Sequence, residues 1–150
     1  MDIDALRQQI ATMRQSLIDE EILDCQFIQL EQLQDSESPN FVEETITVYL
    51  NDSPRLIAAI EHGLEAPVLD YPKLDTSLHR FKSSSSSIGA NKVKIEINKA
   101  LQCCWDHDKE GCRAAVHRIK EEHSNLRSRV EAYFEVIQQA RLAETSNPPK

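Results

Sequence analysis

Apolar side chains recur through this chain at alternating spacings of four and three. In the C-terminal third, Cys112, Val116, Ile119, His123, Leu126, Val130, Tyr133 and Ile137 keep that register over 26 residues. This is the spacing of one face of an α-helix, and no strand alternation can reproduce it. Val42, Ile46, Tyr49, Ser53, Ile57, Ile60 and Leu64 repeat the pattern, as do Leu74, Leu78, Phe81, Ser85 and Ile88. A chain written this way must bury helical stripes against one another. Its 3 Gly and 6 Pro leave few places to turn. The spacing predicts an all-α protein.

Six helices follow. Ile3, Leu6, Ile10, Met13 and Leu17 mark the first, with Asp2 or Asp4 as its cap. The second is predicted from about Asp19 to Gln34, with Ile22 or Leu23, Phe27, Leu30 and Leu33 on one side. Residues 35–40 form a break, and Ser38-Pro39 reads as an N-cap followed by proline at the first helical position. Pro54 falls inside the long third helix, so a kink or short break is expected near Asn51 to Ser53. Gly63 and Pro67 should end that helix. Tyr71-Pro72 should open the fourth and Gly89 close it. Val93, Ile97, Ala100, Leu101 and Cys104 define a fifth, ending near Asp106 to Asp108, with Gly111 just before the last. At 150 residues the chain suits one domain, residues 1–150. Its parts are two N-terminal helices (1–35), an antiparallel four-helix bundle (38–142) and a disordered tail (143–150).

Charge and composition exclude several functions. Asp and Glu outnumber Lys and Arg by 25 to 17, a net charge of −8. That disfavours nucleic acid and anionic membrane surfaces as partners. No basic leader precedes an apolar run at the N-terminus, and no stretch has the length of a membrane span, so a soluble intracellular protein is expected. Cys25, Cys103, Cys104 and Cys112 form no CxxC pair and are expected to remain thiols. Cys103, Cys104, His107 and Cys112 match no paired-ligand spacing, so no metal site is assigned. A P-loop and a GxGxxG motif are both missing, and no acidic magnesium site stands out.

One stretch carries chemistry: Leu78-His79-Arg80-Phe81-Lys82, then Ser83 to Ser87, then Ile88-Gly89-Ala90. Read blandly, the serines are a flexible linker. Yet Phe81 and Ile88 stay in phase with Leu74 and Leu78 across them, which a linker has no reason to do. On a helix, His79 lies about 100° from Leu78, at the edge of the buried face, with Lys82 and Ser83 as its neighbours one turn on and Ser86 beyond. A neutral imidazole there can attack phosphorus, a lysine can pair with phosphoryl oxygens, and small residues leave room for a second protein. The other reading of His79 is an ordinary exposed histidine. His123 falls in the core register, and His62 and His117 read as surface positions. Asp19-Glu20-Glu21 and Glu121-Glu122 read as solvated faces.

The stretch resembles the signature of the plant histidine-containing phosphotransfer proteins, His-x-x-Lys-Gly-Ser-Ser-x-Ser-x-Gly-Ala. It is matched by His79, Lys82, Ser84, Ser85, Ser87, Gly89 and Ala90. Residues 23–35, Asn40 to Glu44, Asp52 to Arg55, Lys92 to Lys94 and Glu110 to Cys112 are similar to further parts of that family. The resemblance implies a helical bundle and a phosphorelay carrier without kinase activity of its own. His79 would be the phosphoacceptor and Lys82 the phosphate-stabilising cation. Receiver domains of hybrid histidine kinases and of response regulators would be its partners. It implies no cofactor bound by this chain, the magnesium coming from the receiver, and a carrier of the cytoplasm and nucleus. A monomer is expected, since transfer needs the His79 face free. Arg80 stands where the family has Gln, and Ser83 where it has Gly; with Ser86 they shape the site. Phe27 and Ile28 are assigned to a docking patch, with core packing as the other reading of Phe27. The competing function is a receiver-docking module that transfers poorly and acts as a competitor.

Overall fold

The computed structural model describes residues 2–146. Six helices account for nearly all of it: α1 (Ile3–Asp19), α2 (Cys25–Leu33), α3 (Phe41–Leu64), α4 (Tyr71–Ile88), α5 (Asn91–Trp105) and α6 (Lys109–Ser146). The only extended pairing among the described residues is an isolated antiparallel bridge between Leu23 and Ala90. Helices α3 to α6 form the four-helix core, each reversing on its predecessor through a short connection. The predicted registers of α3 to α6 are buried apart from Ile137, which is half-buried, whereas Leu33, predicted on the inner side of the second helix, is 63% exposed. Ile46, Leu78, Phe81, Ser85, Ile97 and Val130 have no measurable exposure, and Cys112, Val116, Ile119, Leu126 and Tyr133 line α6.

Helix α6 has 38 residues against 15 in α5, so its C-terminal half runs past the α5 hairpin. Helix α1 covers that half: Leu6 packs on Val136 and Ala140. Arg7 pairs with Glu144 at 2.8 Å and Arg129 with Glu20 at 2.5 Å. Helix α2 sits on α3 and α4. Arg14 grips Glu31 of α2 through three hydrogen bonds, Nε to Oε2 at 2.9 Å and to Oε1 at 3.2 Å, and Nη2 to Oε1 at 2.7 Å.

Several boundaries differ from the sequence expectation, each for a local chemical reason. Helix α1 continues to Asp19. The Leu17 carbonyl then accepts from both Ile22 and Leu23, and α2 starts only at Cys25, where the Asp24 carboxylate caps Gln26 N–H at 2.9 Å. Ile22 and Leu23 are buried, but in the connection. Ser38-Pro39 does not open α3, because Asp35 Oδ1 accepts from Glu37 and Ser38 N–H and holds residues 35–38 in a turn. The N-cap is Asn40. Pro54 breaks nothing. It removes the N–H that Leu50 O would accept, and the Arg127 guanidinium of α6 donates to that carbonyl instead. Gly63 lies within the last turn of α3, which ends at Leu64, and Gly111 within the first turn of α6. A Cβ at Gly111 would collide with Asp108 Oδ2, and that same carboxylate accepts Gly111 N–H through Oδ1. The tail expected from residue 143 is helical to Ser146. The rest of it, 147–150, lies outside the described residues.

Gly89 is where the fold depends most on glycine. It ends α4 at φ +78°, a left-handed conformation. A Cβ there would sit 2.7 Å from the backbone nitrogen of Phe27 and 2.7 Å from Asp24 Oδ1. Asp24 N–H donates to Gly89 O, and Asn91 N–H to Ile22 O, sewing the α4–α5 corner to the α1–α2 connection. Gly89→Ala should therefore cost about 2 kcal/mol, from backbone strain plus displacement of α2. Urea denaturation measures it, and a loss below about 0.5 kcal/mol would show that α2 moves aside freely.

Candidate functional site

Helix α4 positions the site. Asp70 caps it, accepting Lys73 N–H at 3.1 Å, and Pro72 occupies its first turn. Leu74, Leu78, Phe81, Ser85 and Ile88 anchor one face in the core, and this leaves His79 on the flank toward α5 with 48% of its side chain exposed. Arg80 and Ser83 are exposed, and Lys82 and Ser86 are half-buried. Lys82 has no ion-pair partner among the described residues, so its ammonium is free to meet an anion brought to His79.

The serine run divides between fold and surface. Ser85 is fully buried and hydrogen-bonds Tyr49 Oη of α3 at 2.8 Å. Ser84 donates to Phe81 O and Ser87 to Ser84 O, so both hydroxyls fold back on their own helix. Gly89 and Ala90 make the α4–α5 corner, against α2. His79, Lys82, Ser83 and Ser86 share one strip at i, i+3, i+4 and i+7, with Arg80 exposed beside it.

Two further residues complete the site, and sequence reasoning missed both. Asp75, one turn before His79, places Oδ2 3.5 Å from His79 Nε2. Trp105, the last residue of α5, donates Nε1–H to Asp75 Oδ1 at 2.6 Å, and its ring lies 6.3 Å from the imidazole between centroids. The i−4 spacing could have drawn attention to Asp75. Trp105 arrives through the α4–α5 packing, and no local pattern announces it.

The remaining candidates separate from this strip. Phe27 is 1% exposed and packs beneath Gly89, so the docking role assigned to it is corrected: its ring is core. Ile28 is half-buried. His123 is also core, with Nε2 2.5 Å from Ser53 Oγ and its ring packed beside those of Tyr49 and Phe81; burial holds its pKa down at about 4. His62 and His117 are exposed and sit beside Glu65 and Glu121. All four cysteines are free thiols, and burial pushes Cys104 up and Cys112 up to about 12, which keeps both protonated. Among the described residues no group of three His, Cys, Asp or Glu side chains is arranged to hold a metal ion. No helix among them is long and apolar enough to cross a membrane.

Known proteins share both sequence and shape with this chain. The family described as Hpt domain matches residues 44–129. Histidine-containing phosphotransfer protein 4 of Arabidopsis thaliana is 47% identical over 116 residues, 77% of this chain and 91% of that protein. Pseudo histidine-containing phosphotransfer protein 5 of rice is 38% identical over 149 residues, 99% of this chain and 98% of that one. A crystal structure of a histidine-containing phosphotransfer protein from Medicago truncatula superposes with a TM-score of 0.88 at 30% identity, covering 93% of this chain and 95% of that one.

Proposed function

The chain belongs to the plant histidine-containing phosphotransfer family, and from that premise we propose that His79 is the phosphoacceptor of a multistep phosphorelay. The observation that carries the assignment is His79 itself: a half-exposed imidazole on a helix anchored along its opposite face, with Lys82, unpaired among the described residues, one turn on. An imidazole nitrogen lone pair attacks the phosphorus of a receiver's aspartyl phosphate. The N–P bond forms as the P–O bond to the aspartate breaks, and the carboxylate leaves. A second receiver reverses the step, its aspartate taking the phosphoryl group and restoring the imidazole. Such transfer needs in-line positioning and charge neutralisation more than further catalytic groups. Helix α4 supplies the positioning and Lys82 a point charge for the phosphoryl oxygens. The receiver brings the divalent cation. The chain is thus a covalent carrier with no kinase activity of its own, working as a monomer between hybrid kinases and response regulators, in the cytoplasm and nucleus.

Incubation with a phosphorylated receiver domain tests this: acid-labile, base-stable label should appear on the chain and pass to a second receiver. Receiver binding without label would sink the carrier and leave the competitor. That second reading draws on Ser83 and Arg80, and on the likeness to a rice protein named as a pseudo phosphotransfer protein.

Ser83 should slow transfer. Its exposed hydroxymethyl group stands one turn beyond the imidazole, where the family has a bare Cα. Ser83→Gly should raise the transfer rate several-fold, although mid-helix glycine costs roughly 0.5–1 kcal/mol of stability relative to alanine. An unchanged rate would refute the steric argument.

A further inference from the structure

We infer that Trp105 is an anchor for the incoming receiver domain, preorganised by Asp75; the inference rests on the phosphoacceptor reading of His79. Trp105 is the chain's one tryptophan and is 59% exposed, which is unusual for the largest apolar side chain. Its only polar group is already satisfied, since Nε1–H donates to Asp75 Oδ1 at 2.6 Å. What the indole offers outward is therefore apolar ring surface. That surface lies beside the imidazole, with the Trp105 and His79 ring centroids 6.3 Å apart and tilted by 37°.

A partner that brings phosphorus to within roughly 3–3.5 Å of the imidazole must cover side chains this close to it. Trp105 thus falls inside the partner's footprint. Aromatic anchors near the centre of an interface dominate its energetics, and an anchor already held in its bound rotamer loses less freedom on docking. Asp75 supplies that hold: its other oxygen faces His79 Nε2 at 3.5 Å, so one carboxylate spans the anchor and the phosphoacceptor. The complementary occupant is a receiver whose surface next to its phosphorylated aspartate is apolar opposite Trp105.

The sole indole reports its own burial. A tryptophan-free receiver domain that labels the wild-type chain, loaded with beryllofluoride in place of the phosphoryl group, should change the Trp105 emission saturably. Trp105→Ala should weaken Kd, measured by calorimetry, at least about tenfold. Trp105→Phe should restore most of the affinity. Asp75→Ala should weaken binding to wild type several-fold but add nothing in the Trp105→Ala background, a coupling that general loosening of the fold would not produce. Kd within about twofold of wild type for Trp105→Ala, with labelling intact, overturns the anchor and leaves the carrier standing. Additive Asp75 and Trp105 losses overturn the preorganisation. If no receiver labels or binds the wild-type chain, the carrier reading falls and the anchor with it.

Discussion

The His79→Gln variant should fold as the wild type does and take up no acid-labile phosphoryl group. The fold survives because His79 is not part of the core: nearly half its side chain faces solvent, and its one ion-pair contact among the described residues is with Asp75 on the preceding turn. Exposed substitutions of this kind usually change stability by less than about 0.5 kcal/mol. The chemistry does not survive. Glutamine nearly matches the imidazole in reach, but its amide nitrogen has no free lone pair and cannot form the N–P bond. Removing a covalent nucleophile leaves nothing to turn over, and the loss should be at least about a thousandfold. The other four histidines lack that setting. His123 is buried with Nε2 held by Ser53. His62 of α3, His107 (stacked on the Tyr71 ring at 4.2 Å between centroids) and His117 of α6 are exposed, but none lies on the α4 strip that carries Lys82. Label on the His79→Gln variant at anything near the wild-type rate would move the site elsewhere. The most informative place to find it would be His62, His107 or His117, because exposure alone would then suffice.

The parts of this molecule legible in its sequence are those set by periodicity. The α4 and α6 registers placed Leu78, Phe81, Ser85 and His123 in the core, and put His79 with Lys82, Ser83 and Ser86 on an open strip. Helix ends were less legible, because they are decided by which acceptor reaches an unpaired N–H first. Ser38-Pro39 has the right residue types for a helix start, yet Asp35 captures the Ser38 N–H and delays the helix to Phe41. Ile22 and Leu23 fit a helical stripe, yet they are buried because Leu17 O turns the chain there. Pro54 shows the limit most clearly. Its missing N–H predicts a break, and only a guanidinium 73 positions further along the chain, on another helix, makes the break unnecessary. The same limit applies at the site. His79 and Lys82 share one helix and could be paired by counting, whereas Trp105 joins them from α5.

Beneath α4 lies a polar layer with a consequence for stability. His123 of α6 packs with its ring centroid 6.0 Å from that of Tyr49 and 6.4 Å from that of Phe81, and its Nε2 bonds Ser53 Oγ of α3. Tyr49 in turn bonds Ser85 on the buried face of α4. This layer ties three helices together under the strip that presents His79, so charging it should loosen the platform. Burial, aided by the nearby Arg127 guanidinium, lowers the His123 pKa from 6.5 to about 4. Between those values the unfolded chain binds a proton that the folded chain refuses, so stability falls as the pH falls. The His123 contribution is complete above about pH 6.5, declines by about 1.4 kcal/mol per pH unit, and levels off below about pH 4, a total of about 3 kcal/mol. His123→Gln keeps a polar partner for Ser53 but cannot titrate. Urea midpoints at pH 7 and pH 4 should therefore show the wild type losing about 3 kcal/mol more than the variant over that interval. Equal losses in the two proteins would mean that the folded chain accepts the proton at His123 without penalty, and that the layer beneath α4 is open to water.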